Sequence, residues 1–139
     1  MIVLDTDVLS EAMRADPSPE FAAWFDRQPR LAVWTTAVSL LEIRFGIERL
    51  PAGRRRSALT MSLEQVLVLD IEGRVLPFDA DAATETAVLM AERQRAGRSG
   101  DLRDSMIAGI AVAHRATVAT RNTRHFADLP VPVVDPWAA

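Results

Sequence analysis

What most constrains this chain is an alternation in which short apolar runs take turns with longer amphipathic segments. Met1–Leu4 is purely apolar and stops at Asp5, Thr6 and Asp7. Leu31–Thr35 and Thr117–Thr120 have the same strand-like character. Arg74–Phe78 and Val131–Val134, the latter as an edge, are short runs broken by Pro77 and Pro132. Between these runs the apolar spacing is helical. Helices are predicted over residues 6–14, over Glu20–Arg27 behind Pro17 and Pro19, and from Ala37 to about Leu50 ahead of Pro51. Three more are predicted over 54–69, with Leu59, Leu63, Val66 and Leu67 on one face, over 80–96 as far as Gly97, and from Leu102 to about Arg115. Strands alternating with helices predict an α/β fold, a mainly parallel central sheet between two helical layers. Right-handed crossovers bring every strand's C-terminal tip to one rim. Asp5, Thr35–Thr36 and Thr120 are expected along that rim, where open α/β sheets hold their ligands.

Composition narrows the classes further. The 139 residues, 49% hydrophobic, suit one domain spanning 1–139 with a sizeable core. No apolar run approaches the roughly 20 residues that cross a bilayer, and the N-terminus lacks a signal peptide's basic flank and cleavage pattern. A cytoplasmic protein is expected, with no membrane partner. Cysteine is absent, which excludes disulfides and thiolate metal sites. The net charge of −3 gives no global pull toward nucleic acid. All sixteen basic residues are arginine, a bias that fits a GC-rich genome and still leaves groups suited to phosphate. Arg54-Arg55-Arg56 and the Arg93, Arg95, Arg98 group are the local patches, with solvated helix ends as the plainer reading. Trp24, Phe25 and Trp34 are expected in the core or in dimer contacts.

Three acids stand beside apolar sequence. Asp5 ends the first strand. Thr6 is the expected cap of the following helix, which leaves Asp5 free for chemistry, and Asp7 is a first-turn acid on the helix dipole. Glu42 has Val38, Phe45 and Gly46 at helical spacing; as an ordinary surface acid it would pair with Arg49 or an adjacent basic residue. Asp104 heads the stripe Ile107, Ala108, Ala111 and Val112, with Asp101 as the expected cap three residues earlier. Burying an unpaired charge there costs several kcal/mol. Carboxylates that converge repel one another unless a cation joins them, and a divalent metal is the usual guest. After the Thr117–Thr120 strand, Thr120 and Asn122 could orient a metal-bound water or a phosphate, or serve the turn alone. His125 without a second histidine makes a poor zinc site. Leu4-Asp5-Thr6-Asp7-Val8 also looks like the opening of haloacid-dehalogenase-type phosphatases, but that family needs a later lysine, and this chain has none.

Four segments in order resemble the PIN-domain family: Met1–Ser10, Ser39–Gly46, Asp104–Ala111 and Thr120–Phe126. The resemblance covers essentially the whole chain and lies nearest the VapC/FitB-type toxins of bacterial toxin–antitoxin pairs. It implies a three-layer α/β/α fold and an endoribonuclease dependent on Mg²⁺ or Mn²⁺, with Asp5, Glu42 and Asp104 as the acidic triad that binds the metal. Thr120 and Asn122 stand beside that triad in the expected catalytic set. The resemblance further implies a homodimer, a tRNA or rRNA substrate, and a VapB-type antitoxin that inserts an arginine near the metal and alone supplies binding to operator DNA. Many relatives carry a fourth acid at the position of Asn122 or His125, and this chain does not. Two other readings follow from the same residues: a catalytically inactive PIN-like binding module, or a metal-dependent nuclease for structured DNA.

Overall fold

Each of the first two strands passes straight into the next helix, the first through the cap Asp5 just after it and the second through its own last residue, Thr36. The computed structural model describes Met1–Ala139. In chain order the strands are β1 (Ile2–Leu4), β2 (Val33–Thr36), β3 (Val75–Leu76), β4 (Thr117–Ala119) and β5 (Val133–Val134). The helices are α1 (Thr6–Ala12), α2 (Pro19–Arg27), α3 (Ala37–Glu48), α4 (Arg54–Gln65), α5 (Ala80–Arg95) and α6 (Leu102–Ala113). The strands form one sheet in the order β3-β2-β1-β4-β5, and every neighbouring pair is parallel. All the C-terminal tips therefore share one rim, which carries Asp5, Thr36 and Thr120.

Successive strand residues face opposite helical layers, as the two-residue period of a strand requires. Val3 and Val118 pack with Leu89, Ile107, Ile110 and Phe126 on one side of the sheet. Leu4 and Ala119 pack with Val8, Phe21, Trp24, Ile47 and Leu63 on the other. Trp24 is 4% exposed and Phe21 2%, so these two are core, while Phe25 packs half-buried against the same cluster.

The elements differ from the sequence expectation mainly at their ends. Strand β2 begins at Val33 because Arg30–Ala32 forms a 3₁₀ turn behind Pro29. Strand β3 is cut short where Pro77, without an N–H, cannot continue the ladder. The expected helix over 54–69 is regular only to Gln65. Val66–Asp70 widens into a π-helical turn, closed by an Ile71 N–H bond to the Val66 carbonyl at 2.9 Å. That widening leaves Ile71 fully buried while Val68 and Leu69 face outward. Glu72 and Gly73 then turn the chain at φ 52° and 75°.

Candidate functional site

Asp5 sits where β1 hands over to α1. Its N–H bonds to the Ala119 carbonyl at 3.0 Å, which fixes it beside the tip of β4. Its Oδ1 accepts from the Val8 N–H at 3.0 Å, so Asp5 itself caps α1. The expectation that Thr6 caps this helix is thus corrected. Asp5 has the extended backbone and the reach of an N-cap, whereas Thr6 lies inside the first turn. Asp5 is only 4% exposed. Burial pushes its carboxyl up to about 6, while hydrogen bonds from Thr120 and Val8 pull down and the charges of Asp7 and Asp104 add to the rise.

The freed Thr6 hydroxyl has a different task. It donates to Glu42 Oε1 at 2.7 Å and lies 3.2 Å from Ser39 Oγ. Ser39 is in turn reached by Thr36, which caps α3 by accepting from the Ser39 N–H at 3.0 Å. A line of hydroxyls, buried at Thr36 and Ser39 and half-buried at Thr6, thus runs from the β2 tip to Glu42. The other Glu42 oxygen stands 3.6 Å from Arg103 of α6. The surface pairing with Arg49 does not occur; that guanidinium lies over the Phe45 ring instead.

On the opposite wall, Asp101 caps α6 through the Arg103 and Asp104 N–H groups. This leaves the Asp104 side chain free, and its Oδ2 lies 3.2 Å from His125 Nδ1. Asn122 bonds its backbone N–H to the Thr120 hydroxyl at 3.0 Å and donates its side-chain amide to Asp7 Oδ2 at 3.0 Å. Asn122 and His125, the two candidate positions for a fourth acid, are therefore each placed on a carboxylate. Four contributors were not assigned a part in the site from sequence: Thr6, Asp7, Arg103 and His125. Asp7 had a local signal, standing two residues after Asp5. Thr6 also stood beside it, but capping was the use its sequence suggested. For Arg103 and His125 no local pattern marks the contact, because each meets its partner across elements.

A hard divalent cation fits this site. The donors offered are carboxylate oxygens, and Asp5 is buried with acids as its charged neighbours. No three Asp, Glu or His side chains close into a ready-made cage. A cation here would therefore draw on one or two of these carboxylates and complete its shell with water.

The comparisons with known proteins agree with this architecture. Residues 2–132 match the PIN domain, and the chain belongs to the PIN-domain family. VapC ribonuclease Y4jK of Sinorhizobium fredii is 41% identical over 137 residues, covering 99% of this chain and 98% of that protein. Toxin FitB of Neisseria gonorrhoeae is 36% identical over 137 residues, covering 99% of each. A solved structure of FitAB bound to an IR36 DNA fragment matches with a TM-score of 0.88 at 35% identity, over 99% of this chain and 96% of that one. The likeness to VapC/FitB proteins thus spans the full chain, and the parallel three-layer fold is theirs.

Proposed function

We propose that this protein is the toxin of a VapBC/FitAB-type pair and a Mg²⁺-dependent endoribonuclease, with Mn²⁺ as an alternative metal. The observation that carries this reading is the buried Asp5 at the sheet rim, its carboxyl raised to about 6 among other acids. Such a carboxylate is stabilised by an incoming cation. Residues 1–139 act as one PIN domain in this reading, with both apolar clusters packed on a single sheet.

Asp5 and Asp104 would hold the metal directly or through one water, and Glu42 would hold a water of its shell. Bound there, the metal supplies positive charge to the scissile phosphate and lowers the pKa of a water. The protein's own part is positioning. Val8 N–H fixes one oxygen of Asp5, and the Thr6 hydroxyl fixes Glu42. The Thr120 hydroxyl braces the Asn122 backbone by accepting its N–H. The Asn122 amide nitrogen is engaged by Asp7, so its carbonyl oxygen is the end available to orient the attacking water. In-line attack forms a bond from water oxygen to phosphorus as the P–O3′ bond breaks, leaving a 5′-phosphate.

A VapB-type antitoxin and a homodimer belong to the same reading. A groove beside Thr6 and Glu42 has Met13, Ile43, Ile47 and Leu59 in its walls, suited to an apolar segment that ends at the acids. Leu41 and Phe45, one turn apart on α3, are each 60% exposed and offer further apolar surface to a partner. Contact with operator DNA falls to the antitoxin. Parallel digestion of single-stranded RNA, structured RNA and flap DNA tests the substrate class. Metal-dependent cuts in RNA alone are expected; cuts confined to DNA would refute the assignment.

A further inference from the structure

A second cavity opens on the far side of Asp104, and no apolar residue lines it. Its walls carry Arg93, Arg98, Arg124 and His125 against Asp101, Asp104 and Asp128. The charges there are not equivalent. Arg93 is 7% exposed and grips both oxygens of Asp128, through Nε at 2.9 Å and Nη2 at 3.0 Å. It also donates to the His125 carbonyl at 2.8 Å and to Ser105 Oγ at 3.2 Å. Arg93 and Asp128 therefore neutralise one another. Asp104 belongs to the acid site, and Asp101 is taken up by capping α6, with the Arg103 guanidinium 3.9 Å from the same oxygen.

Two guanidinium groups remain for a ligand. Arg98, with its side chain 60% exposed, has as its nearest carboxylate the already paired Asp128, at 3.8 Å. Arg124 is exposed on the 3₁₀ turn Thr123–Phe126. The Arg98 backbone is pinned where α5 ends. Gly97 takes φ 71°, its N–H bonds to the Gln94 carbonyl at 3.0 Å, and the Arg98 N–H bonds to the Arg93 carbonyl at 2.8 Å. Gly100 then passes so close to Arg93 that a Cβ there would lie 3.1 Å from Nη1.

We infer that this cavity is a phosphate subsite for the RNA strand, in which Arg98 and Arg124 contact a backbone phosphate next to the scissile one. The inference rests on the nuclease reading above. A chain with net charge −3 and an acidic reaction centre must place its RNA-binding cations beside that centre. The cavity adjoins Asp104, so a strand with its scissile phosphate at Asp5 and Asp104 would bring a neighbouring phosphate over these arginines. Arg93, grouped with Arg98 as a surface patch from sequence, is instead the buried strut behind the subsite.

The test is anisotropy of a labelled single-stranded RNA over a salt series in EDTA. It compares wild type, Arg98→Gln, Arg124→Gln, the double variant, and Arg27→Gln on α2 as a control. Each subsite variant is expected to weaken binding about fivefold at low salt and to flatten the log–log salt slope by about 0.7. Arg27→Gln should do neither. With Mg²⁺ present, KM should rise while kcat stays within about twofold. Cleavage by wild type with equal affinities and slopes for the double variant would overturn the subsite alone. A wild type that does not bind RNA overturns it too. Arginine-dependent binding without any cleavage would uphold the subsite and retire the nuclease reading.

Discussion

Asp5 carries three duties at once: it follows the tip of a strand, caps a helix and has other acids as its charged neighbours. Its strand-tip position made it legible from sequence. Its capping role was not, because aspartate and threonine are both good caps and only the fold decides which one is in the cap position. The raised carboxyl pKa has a consequence for stability. The native state binds this proton more tightly than the unfolded chain, so the metal-free protein loses stability as pH rises from 3.8 toward about 6. At about 1.36 kcal/mol per pH unit the loss reaches roughly 3 kcal/mol, and it is complete above pH 6. Asp5→Asn keeps a capping side chain and removes the charge. Its stability minus that of wild type, followed by urea denaturation in EDTA, should therefore grow across this pH window. A flat difference would show that Asp5 titrates normally. Thr6→Val removes the 2.7 Å bond that holds Glu42. Activity should fall by about tenfold with little change in melting temperature, as for other groups that orient metal-site ligands. Unchanged activity would mean Glu42 needs no such support.

Between elements, the α5–α6 contact has the least slack. A Cβ on Gly109 would lie 1.8 Å from Thr86 Oγ1 and 2.8 Å from the Ala82 carbonyl. Thr86 is itself tied back to that carbonyl at 2.7 Å, so the clash cannot be relieved by a side chain alone. Gly109→Ala should destabilise by about 1–3 kcal/mol, read as a lower urea midpoint. Arg93→Ala should cost about 3 kcal/mol, since it leaves Asp128 half-buried without its partner. A loss under half of that would mean water replaces the guanidinium. Element type was legible wherever the apolar period was long, as in α3, α5 and α6. The π-helical turn at Val66–Asp70 was not, because Val66–Leu69 is a continuous apolar run that fits any helical register. The Arg93 strut was hidden for a related reason. A run of arginines near a helix end reads as surface, and nothing local shows that one of them reaches Ser105, His125 and Asp128.

For the whole molecule, alternation of strand and helix was enough to foresee a parallel sheet with its tips on one rim. The strand order β3-β2-β1-β4-β5 adds what alternation does not contain: β1 lies at the centre, so its tip is flanked by those of β2 and β4. That is why Asp5 meets Thr120 from one side while the hydroxyl line from Thr36 reaches Glu42 on the other. The convergence of residues a hundred positions apart follows from topology, and sequence suggested it only through the order of the four motifs. No helix is long and apolar enough to cross a membrane. The most direct measurement is cleavage of pooled tRNA and rRNA by the purified, antitoxin-free protein. Wild type and Asp5→Asn would each be assayed with Mg²⁺ and with EDTA. Discrete cuts with 5′-phosphate ends, seen only for wild type with Mg²⁺, are the predicted result. Equal cutting by a folded Asp5→Asn protein, or cutting that survives EDTA, would contradict the assignment of this acidic rim as the reaction centre.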